Sequence, residues 1–202
     1  GLLQKNPDDQ ELWTLMRHEI TKMKTTINTM LRLVGVNDTS LKLNKSSVDV
    51  YQLLLNMTKP YDIVAADKNL KIKTTFYGLA SFITIDESLI YDAVANLLDN
   101  ALKYATPGTV INISAKVKNE SMCISVSDIG PIIPEEDREK VFDHFYKGSL
   151  VVDKVHQLGL GLTFVKVVTE AHGGSVYVDP DFNKGTKIVM NIPAVTIGKE
   201  NQ

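Results

Sequence analysis

Two carboxamides and an ammonium share one side of a predicted helix in the segment "DESLIYDAVANLLDNALKYA". Asn96, Asn100 and Lys103 stand at positions i, i+4 and i+7. The apolar face of the same helix consists of Leu89, Ala93, Leu97 and Ala101. Amide oxygens suit a hard cation such as Mg²⁺, which keeps several waters and bridges phosphates, and lysine supplies a point charge for the phosphates. A solvated polar face explains the stripe equally well, so this helix alone leaves both interpretations open.

A carboxylate ends the apolar strand "SMCISVSD" and is followed by "IGPIIP". At a strand end beside Gly130, Asp128 can accept a hydrogen bond from an exocyclic amino group while the chain approaches a ligand closely. Asp-x-Gly is also a common turn, so the pattern is weak by itself.

Two further segments contain residues suited to binding an anion. In "LGLGL", residues 158–162, Gly159 and Gly161 leave backbone N–H groups free at the start of a helix, although such glycine pairs are also ordinary hinges. In "FDHFYKG", Lys147 is placed to reach a phosphate. The aromatic residues Phe142, Phe145 and Tyr146 either pack a loop to its base or form a satellite hydrophobic cluster.

The elements that must position these residues follow a long helix in residues 1–40. A heptad seam there predicts packing against partner helices, and it consists of Trp13, Met16, Ile20, Met23, Ile27, Met30 and Val34. His18 lies opposite this seam and is predicted to face solvent.

From residue 41 the pattern changes to mixed helix and strand. A helix that Pro60 makes irregular precedes two strands, the helix that begins after Asp86, and an alternating hairpin. A short helix, the helix after "LGLGL" and a closing hairpin complete the order. It predicts an α+β, two-layer sandwich with a mixed sheet covered on one face by helices. We divide the chain into residues 1–40, a domain at 41–195 and a tail at 196–202.

Composition limits the class of protein and of partner. A chain of 202 residues with a net charge of −2 gives no reason to expect nucleic acid or membrane as a partner and is typical of a soluble globular protein. The single cysteine, Cys123, fits a reducing compartment and a buried strand position. Because the chain starts at Gly1 rather than Met, we expect a missing segment upstream.

Taken together, "NLLDNALKYA", "DIGPIIP", "FDHFYKG", "GLGL" and "EAHGG" resemble the catalytic, ATP-binding domain of sensor histidine kinases, within the superfamily shared with gyrase-type ATPases. The resemblance runs from about Leu41 to Pro193 and implies a Bergerat-type fold that binds ATP and Mg²⁺. It implies that Asn100 is the Mg²⁺ ligand and that Asp128, beside Gly130, reads the adenine amino group. The other implied nucleotide-binding residues are Asn96, Lys103, Tyr104, Lys147, Gly159, Leu160, Gly161 and Leu162.

The resemblance also implies an activity and its partners. Such a domain transfers the ATP γ-phosphate to a histidine, from which it passes to an aspartate on a response-regulator receiver domain. The full-length protein is then expected to be a homodimer through a helical hairpin. We expect a cytoplasmic location, with membrane attachment only through segments outside this chain. The alternative is a degenerate pseudokinase that acts as a signalling or interaction module.

His18 imitates the reactive histidine of the family but matches its motif only at Glu19. Lys22 and Met23 occupy the threonine and proline positions, and a single helix separates His18 from the segment that normally follows the second helix. Residues 1–40 therefore resemble the second helix of the hairpin, with the phosphoacceptor upstream of Gly1. The alternative is a divergent acceptor at His18.

Four residues depart from the family pattern. Ile129 and Ile132 follow Asp128 where the family usually has asparagine and a second glycine, and Gln157 and Leu158 replace a glycine and a hydroxyl residue. We expect weaker nucleotide binding from the lost hydroxyl, and crowding from Ile132. The apolar segment "SLVVDKVHQ" is expected to fold onto the domain or a partner instead of closing over ATP. Elsewhere, His172 is expected in the last turn of a helix that Gly173 ends, where a partly cationic ring would suit the helix dipole.

Overall fold

The first described helix and strand follow directly from local sequence preferences. A computed structural model describes residues 41–78, 82–118, 121–147, 159–193 and 196–197. The predictions for residues 1–40, including His18, and for the segment 148–158, including Gln157 and Leu158, lie outside these ranges. Strand β1 (Ser46–Asp49) leads into helix α1 (Val50–Asp67), where the Asp49 carboxylate accepts a hydrogen bond from the N–H of Gln52.

Helix α1 continues through Pro60, where the sequence predicted an irregularity. Proline removes the N–H that would bond to the carbonyl of residue 56. Both Pro60 and Asn56 are exposed, so water can satisfy that carbonyl. The buried side of the helix carries Val50, Leu53, Leu54, Met57, Thr58 and Ala65.

Helix α2 (Glu87–Tyr104) holds the polar stripe. It follows strands β2 (Lys71–Tyr77) and β3 (Phe82–Ile85), and Asp86 caps its start by accepting a hydrogen bond from the N–H of Leu89 at 3.1 Å. Its buried residues repeat at the predicted helical spacing: Leu89, Ile90, Ala93, Val94, Leu97, Leu98, Ala101 and Leu102. The predicted cap and apolar face are confirmed.

The second half of the domain follows the predicted order. Strands β4 (Val110–Lys118) and β5 (Ser121–Asp128) pair antiparallel and precede two short 3-10 turns, Glu135–Asp137 and Lys140–Phe142. Helix α3 (Gly161–Ala171) is followed by strands β6 (Ser175–Val178) and β7 (Thr186–Pro193). A short strand, β8 (Thr196–Ile197), comes last among the described elements.

The described strands form two sheets. The five-stranded sheet has the order β2-β4-β5-β7-β6, in which β2 and β4 are parallel and the other pairs antiparallel. The second sheet has the order β1-β3-β8. Because the sheet is mixed and all three described helices lie against it or against one another, the predicted α+β fold is confirmed.

Register decides which side chains face the helices. Ile113, Val126, Ile188 and Val178 stand side by side on neighbouring strands, and all four are buried. By alternation Asp128 lies on the same face as Val126, whereas Cys123 lies on the opposite face. Cys123 is only half-buried there, so its prediction as a buried strand residue was wrong.

Candidate functional site

A buried carboxylate, that of Asp128, marks the end of β5. Asp128 is 6% exposed, and among the described residues its Oδ1 has no hydrogen-bond partner. Burial raises the pKa of Asp128 to about 7, because desolvation disfavours the charged form. An unsatisfied buried acceptor of this kind is costly unless a ligand donates to it.

Two glycines keep the backbone close around this carboxylate. A Cβ on Gly130 would lie 2.7 Å from Oδ1 of Asp128 and would overlap the carbonyl oxygen of Tyr104. A Cβ on Gly185, just before β7, would overlap the backbone carbonyl of Asp128. Any larger residue at either position would force the backbone apart.

Hydrogen bonds fix the segment after Asp128 on both sides. The N–H of Thr106, just past the end of α2, donates to the carbonyl of Ile129 at 2.7 Å. The hydroxyl of Thr186 on β7 donates to the carbonyl of Pro131 at 2.9 Å. The end of α2, with Tyr104, is therefore held against the segment that carries Asp128.

The polar stripe of α2 extends away from this carboxylate. Asn96 and Asn100 are half-buried and Lys103 is exposed, with its Nζ 5.3 Å from the centre of the Tyr104 ring. The amide group of Asn96 donates to the carbonyl of Asp92 at 2.8 Å, which orients the side chain. From Tyr104 back to Asn96 the helix covers roughly 12 Å, so its polar residues extend from the Asp128 segment toward the start of α3 at Gly161.

Asn96 meets the start of α3. A Cβ on Gly161 would lie 3.0 Å from Oδ1 of Asn96, so helices α2 and α3 approach each other closely here. Leu160 precedes α3 and its side chain forms no cap, and the first-turn N–H groups of a helix are suited to an anion. The side chains of Leu160 and Leu162 instead contribute to packing, since Leu160 is buried and Leu162 packs against the core. Only their backbone can serve a ligand.

The two ends of the segment 148–158 lie side by side. The N–H of Phe145 donates to the carbonyl of Gly159 at 3.2 Å, and a Cβ on Gly159 would lie 2.6 Å from the carbonyl oxygen of Tyr146. Gly159 has φ +64° and Phe145 φ +61°, so both residues occupy the left-handed region. This contact also places the exposed Lys147 near the start of α3.

The aromatic residues of "FDHFYKG" separate into different roles. Phe142 is buried, whereas Phe145 is 63% exposed. Tyr146 is held by its hydroxyl, which donates to Oδ1 of Asp137 at 2.6 Å, and this hydrogen bond raises the pKa of Tyr146. Of the three aromatics, Phe142 alone is fully buried, so the predicted cluster is only partly formed.

Ile129 and Ile132, the two departures that lie within the described residues, have exposed side chains, at 41% and 46%. Their side chains therefore stand at the surface beside Asp128.

His172 differs from its expected charge state. It ends α3 before Gly173, which has φ +79°, as predicted. The ring, however, is buried, and this burial lowers its pKa below the usual 6.5. The expectation of a partly cationic ring was wrong because burial, which lowers the pKa, outweighs the hydrogen bond to Val168 and the charge of Asp86, which raise it.

Three residues that shape the site were not identified from the sequence. Thr106, Gly185 and Thr186 hold the Asp128 segment in place, yet they lie far from it along the chain. Only the glycine before the strand "TKIVMNIP" could have drawn attention, as a position where two backbones approach.

An open cleft lies at the other end of α2. Its volume is about 480 Å³, and its lining residues are Asn44, Ser46, Asp86, Glu87, Ser88, Tyr91 and Asp92. Three carboxylates in this lining repel phosphates. The start of α2 is therefore a poor place for a nucleotide, in contrast to the half of the helix from Asn96 to Tyr104.

Comparison with known proteins places this arrangement in a family. Residues 85–196, more than half of the chain, match the family described as histidine kinase-, DNA gyrase B-, and HSP90-like ATPase. The sensor protein SrrB of Staphylococcus aureus is 28% identical over 194 residues, which cover 96% of this chain and 33% of SrrB. The sensor histidine kinase WalK of Bacillus subtilis is 28% identical over 180 residues, covering 88% of this chain and 29% of WalK. The chain thus spans about a third of the length of these relatives.

Solved structures share the fold. Full-length ShkA, in complex with AMPPNP, superposes with a TM-score of 0.79 at 22% identity, covering 96% of this chain and 40% of ShkA. The mycobacterial sensor histidine kinase MprB gives a TM-score of 0.63 at 27% identity, covering 76% of this chain and 99% of that structure. The histidine kinase ThkA, in complex with the response regulator protein TrrA, gives a TM-score of 0.71 at 19% identity, covering 95% of this chain and 53% of ThkA.

Sequence and fold therefore agree, since a buried carboxylate, a polar helix and a glycine-led helix occupy one domain of the matching type. The chain belongs to the histidine kinase-, DNA gyrase B- and HSP90-like ATPase family, and its ATP-binding domain is of the kind found in sensor histidine kinases.

Proposed function

We propose that this chain binds Mg²⁺-ATP between Asp128 and the start of α3 and supplies the catalytic part of a sensor histidine kinase. One observation supports the proposal above all. Oδ1 of Asp128 is a buried acceptor without a partner among the described residues, and it lies near the end of α2, whose polar stripe leads back to Gly161.

The region around Asp128 suits an adenine ring. The exocyclic amino group of adenine is a donor, which is what the unpartnered Oδ1 requires. Gly130 lets the backbone approach the base closely, and Tyr104 lies at the same end of α2. A donor at Oδ1 also favours the ionised form and would lower the raised pKa of Asp128.

The other end of the site suits phosphates and a metal ion. Asn100 would hold Mg²⁺ through its amide oxygen, with Asn96 and Lys103 beside the phosphates. Bound Mg²⁺ neutralises phosphate charge and orients the transferred group. The first-turn N–H groups of α3, from Gly161, and Lys147, which directly precedes the segment 148–158, would add further positive potential.

In the proposed reaction the γ-phosphate passes to a histidine. The domain places the phosphate by position and charge neutralisation, and supplies no covalent intermediate of its own. We propose that residues 1–40 are the second helix of a dimerisation hairpin, with the phosphoacceptor upstream of Gly1. The complex of ThkA with TrrA supports a response-regulator receiver domain as the next acceptor.

We propose a cytoplasmic location and a homodimeric full-length protein. No helix in the described part of the chain is long and apolar enough to cross a membrane. Any membrane attachment would come from segments outside this chain.

A pseudokinase is the second candidate function. The departures at Ile129, Ile132, Gln157 and Leu158 favour it, since one lost hydrogen bond to a charged group costs about 10- to 100-fold in affinity. Against it, Asn96, Asn100, Lys103 and Asp128 are all present.

Calorimetric titration of the chain with Mg²⁺-AMPPNP, with and without excess chelator, tests the nucleotide site. We expect saturable binding that weakens when Mg²⁺ is removed. No detectable heat at millimolar nucleotide would reject the kinase function and favour the pseudokinase.

The acceptor is tested in the complete protein. We expect His18→Gln to leave phosphohistidine formation intact after incubation with labelled ATP. Loss of the label would place the acceptor at His18 instead.

A further inference from the structure

A buried histidine joins the two helices that border the proposed phosphate region. His172 is 5% exposed, and its Nε2 accepts a hydrogen bond from the backbone N–H of Asp86 at 3.1 Å. Because Nε2 is the acceptor, Nδ1 carries the proton and donates to the carbonyl of Val168 at 2.8 Å. The ring is therefore neutral and held at both nitrogens.

Asp86, the hydrogen-bond partner of His172, also bonds to three other residues. The carboxylate of Asp86 accepts hydrogen bonds from the N–H groups of Leu89 and Asn44, at 3.1 and 2.8 Å, and from the hydroxyl of Ser88 at 2.9 Å. These bonds hold the pKa of Asp86 below its usual range, although burial opposes them. Asp86 thus caps α2 and binds the backbone at Asn44 through its carboxylate, and it donates its backbone N–H to His172.

Two contacts fix α3 along α2. The start of α3 meets Asn96 through Gly161, and its end meets Asp86 through His172. The helices therefore run antiparallel, and each covers roughly 15 Å between the two contacts.

We propose that His172 is a positioning residue, which holds Asp86 and so sets the distance between Asn96 and the first-turn N–H groups of α3. This inference rests on the proposed function, because the two helices supply the groups proposed to bind the phosphates. His172 itself lies at the far end of α3 and acts through the helix pair.

Protonation breaks this contact. A second proton on Nε2 would face the N–H of Asp86, and two donors repel. The charged groups that face the ring are Asp86, which favours the cation, and Lys45, which opposes it, while burial lowers the pKa below 6.5. The unfolded chain then takes up the proton more readily than the folded chain. The stabilisation by this contact is complete above pH 6.5 and declines as the pH falls below it.

Two substitutions separate the hydrogen bond from simple packing. In His172→Gln the side-chain carbonyl can accept from Asp86 at every pH, whereas His172→Leu fills the space without an acceptor. At about pH 7.5 we expect His172→Leu to bind Mg²⁺-AMPPNP roughly 2- to 30-fold more weakly than the wild type, and His172→Gln to recover most of the affinity. Amide hydrogen exchange should show lost protection at Asp86 in His172→Leu only.

Equal affinity and equal protection at Asp86 in the wild type and His172→Leu would overturn the inference. If His172→Leu does not fold, the wild type and His172→Gln are compared at about pH 7.5 and pH 5.5. Protection at Asp86, corrected for intrinsic exchange, should fall with pH in the wild type alone, and identical trends would overturn the inference. Failure of the wild type to bind nucleotide would reject the proposed function, whereas exchange at Asp86 still tests the His172 contact.

Discussion

The two ends of the proposed nucleotide site are built differently. Around Asp128, which we call the adenine end, sheet and helix backbones converge so closely that Gly130 and Gly185 leave no room for a Cβ. Around Asn96 and Gly161, which we call the phosphate end, the surfaces meet through a side chain and a helix start. In the proposed site, the backbone would therefore fix the position of the Asp128 carboxylate that reads the base, whereas phosphate binding would depend on side chains and on how two helices are aligned.

The largest effect is expected from loss of the metal ligand at the phosphate end. Asn100→Ala should weaken Mg²⁺-AMPPNP binding about 10- to 100-fold, because it removes a polar contact to a charged group. Binding of adenosine, which uses the adenine end, should change little. Calorimetric titration measures both, with Asn112→Ala, an exposed asparagine on the opposite face of the sheet, as the control. Unchanged nucleotide affinity in Asn100→Ala would show that the stripe on α2 is only a polar surface.

An added methyl group at the adenine end should destabilise the fold. Gly185→Ala places a Cβ on the backbone carbonyl of Asp128, which cannot move independently of β5. We expect the free energy of unfolding to fall by about 1–3 kcal/mol, measured by urea denaturation. A variant as stable as the wild type would mean that the two strands are not packed this tightly.

Acid should weaken the binding of adenosine, which contacts only the adenine end. An adenine amino group donates a stronger hydrogen bond to an ionised carboxylate than to a neutral acid, and burial raises the pKa of Asp128 to about 7. Adenosine affinity should therefore fall by up to about tenfold as the pH drops below this pKa, and then level off. Asp128→Asn keeps an acceptor that does not titrate, so its affinity should be flat over the same range. If the adenosine affinity of the wild type were as independent of pH as that of Asp128→Asn, the ionised Asp128 carboxylate would not be the group that binds adenosine.

The smallest effect is expected at the phosphate end. In Gly161→Ala the Cβ meets only the side-chain oxygen of Asn96, at 3.0 Å, and this side chain can shift. We expect stability within about 0.5 kcal/mol of the wild type, since alanine also favours the helix, and a loss of nucleotide affinity of about threefold. Urea denaturation and calorimetry measure the two quantities. Destabilisation as large as that of Gly185→Ala would remove the distinction between the two ends.

Local patterns predicted the elements of the fold well. The cap at Asp86, the apolar spacing of α2 and the antiparallel hairpin of β4 and β5 each depend on residues within one segment, and all three are confirmed. Cys123 is only half-buried, although Ser125 and Ser127 on the same face of β5 are buried, so its burial depends on what packs over that face and not on the pattern of its own strand.

Contacts between distant segments could not be predicted in the same way. The hydrogen bond from Asp86 to His172 joins positions 86 residues apart, and the burial that accompanies it lowers the pKa of the ring, which is therefore neutral and not partly cationic. A second contact between distant residues joins α1 and α2, where the hydroxyl of Tyr61 donates a hydrogen bond to Asp99. Burial, and then the charge of Asp99, raise the pKa of Tyr61. Such pairs arise from packing, which no single segment encodes. The roles assigned to Asn96, Asn100, Lys103 and Asp128 stay predictions.

The choice between adenine and hypoxanthine tests the central claim most directly. Inosine carries a carbonyl oxygen where adenosine carries its amino group, so the Asp128 carboxylate would face an acceptor and the hydrogen bond would be lost. At about pH 8, calorimetric titration of the wild type should show Mg²⁺-ATP binding at least about tenfold more tightly than Mg²⁺-ITP, with the difference lost in Asp128→Ala. Equal affinities for the two nucleotides in the wild type would show that Asp128 does not read the base.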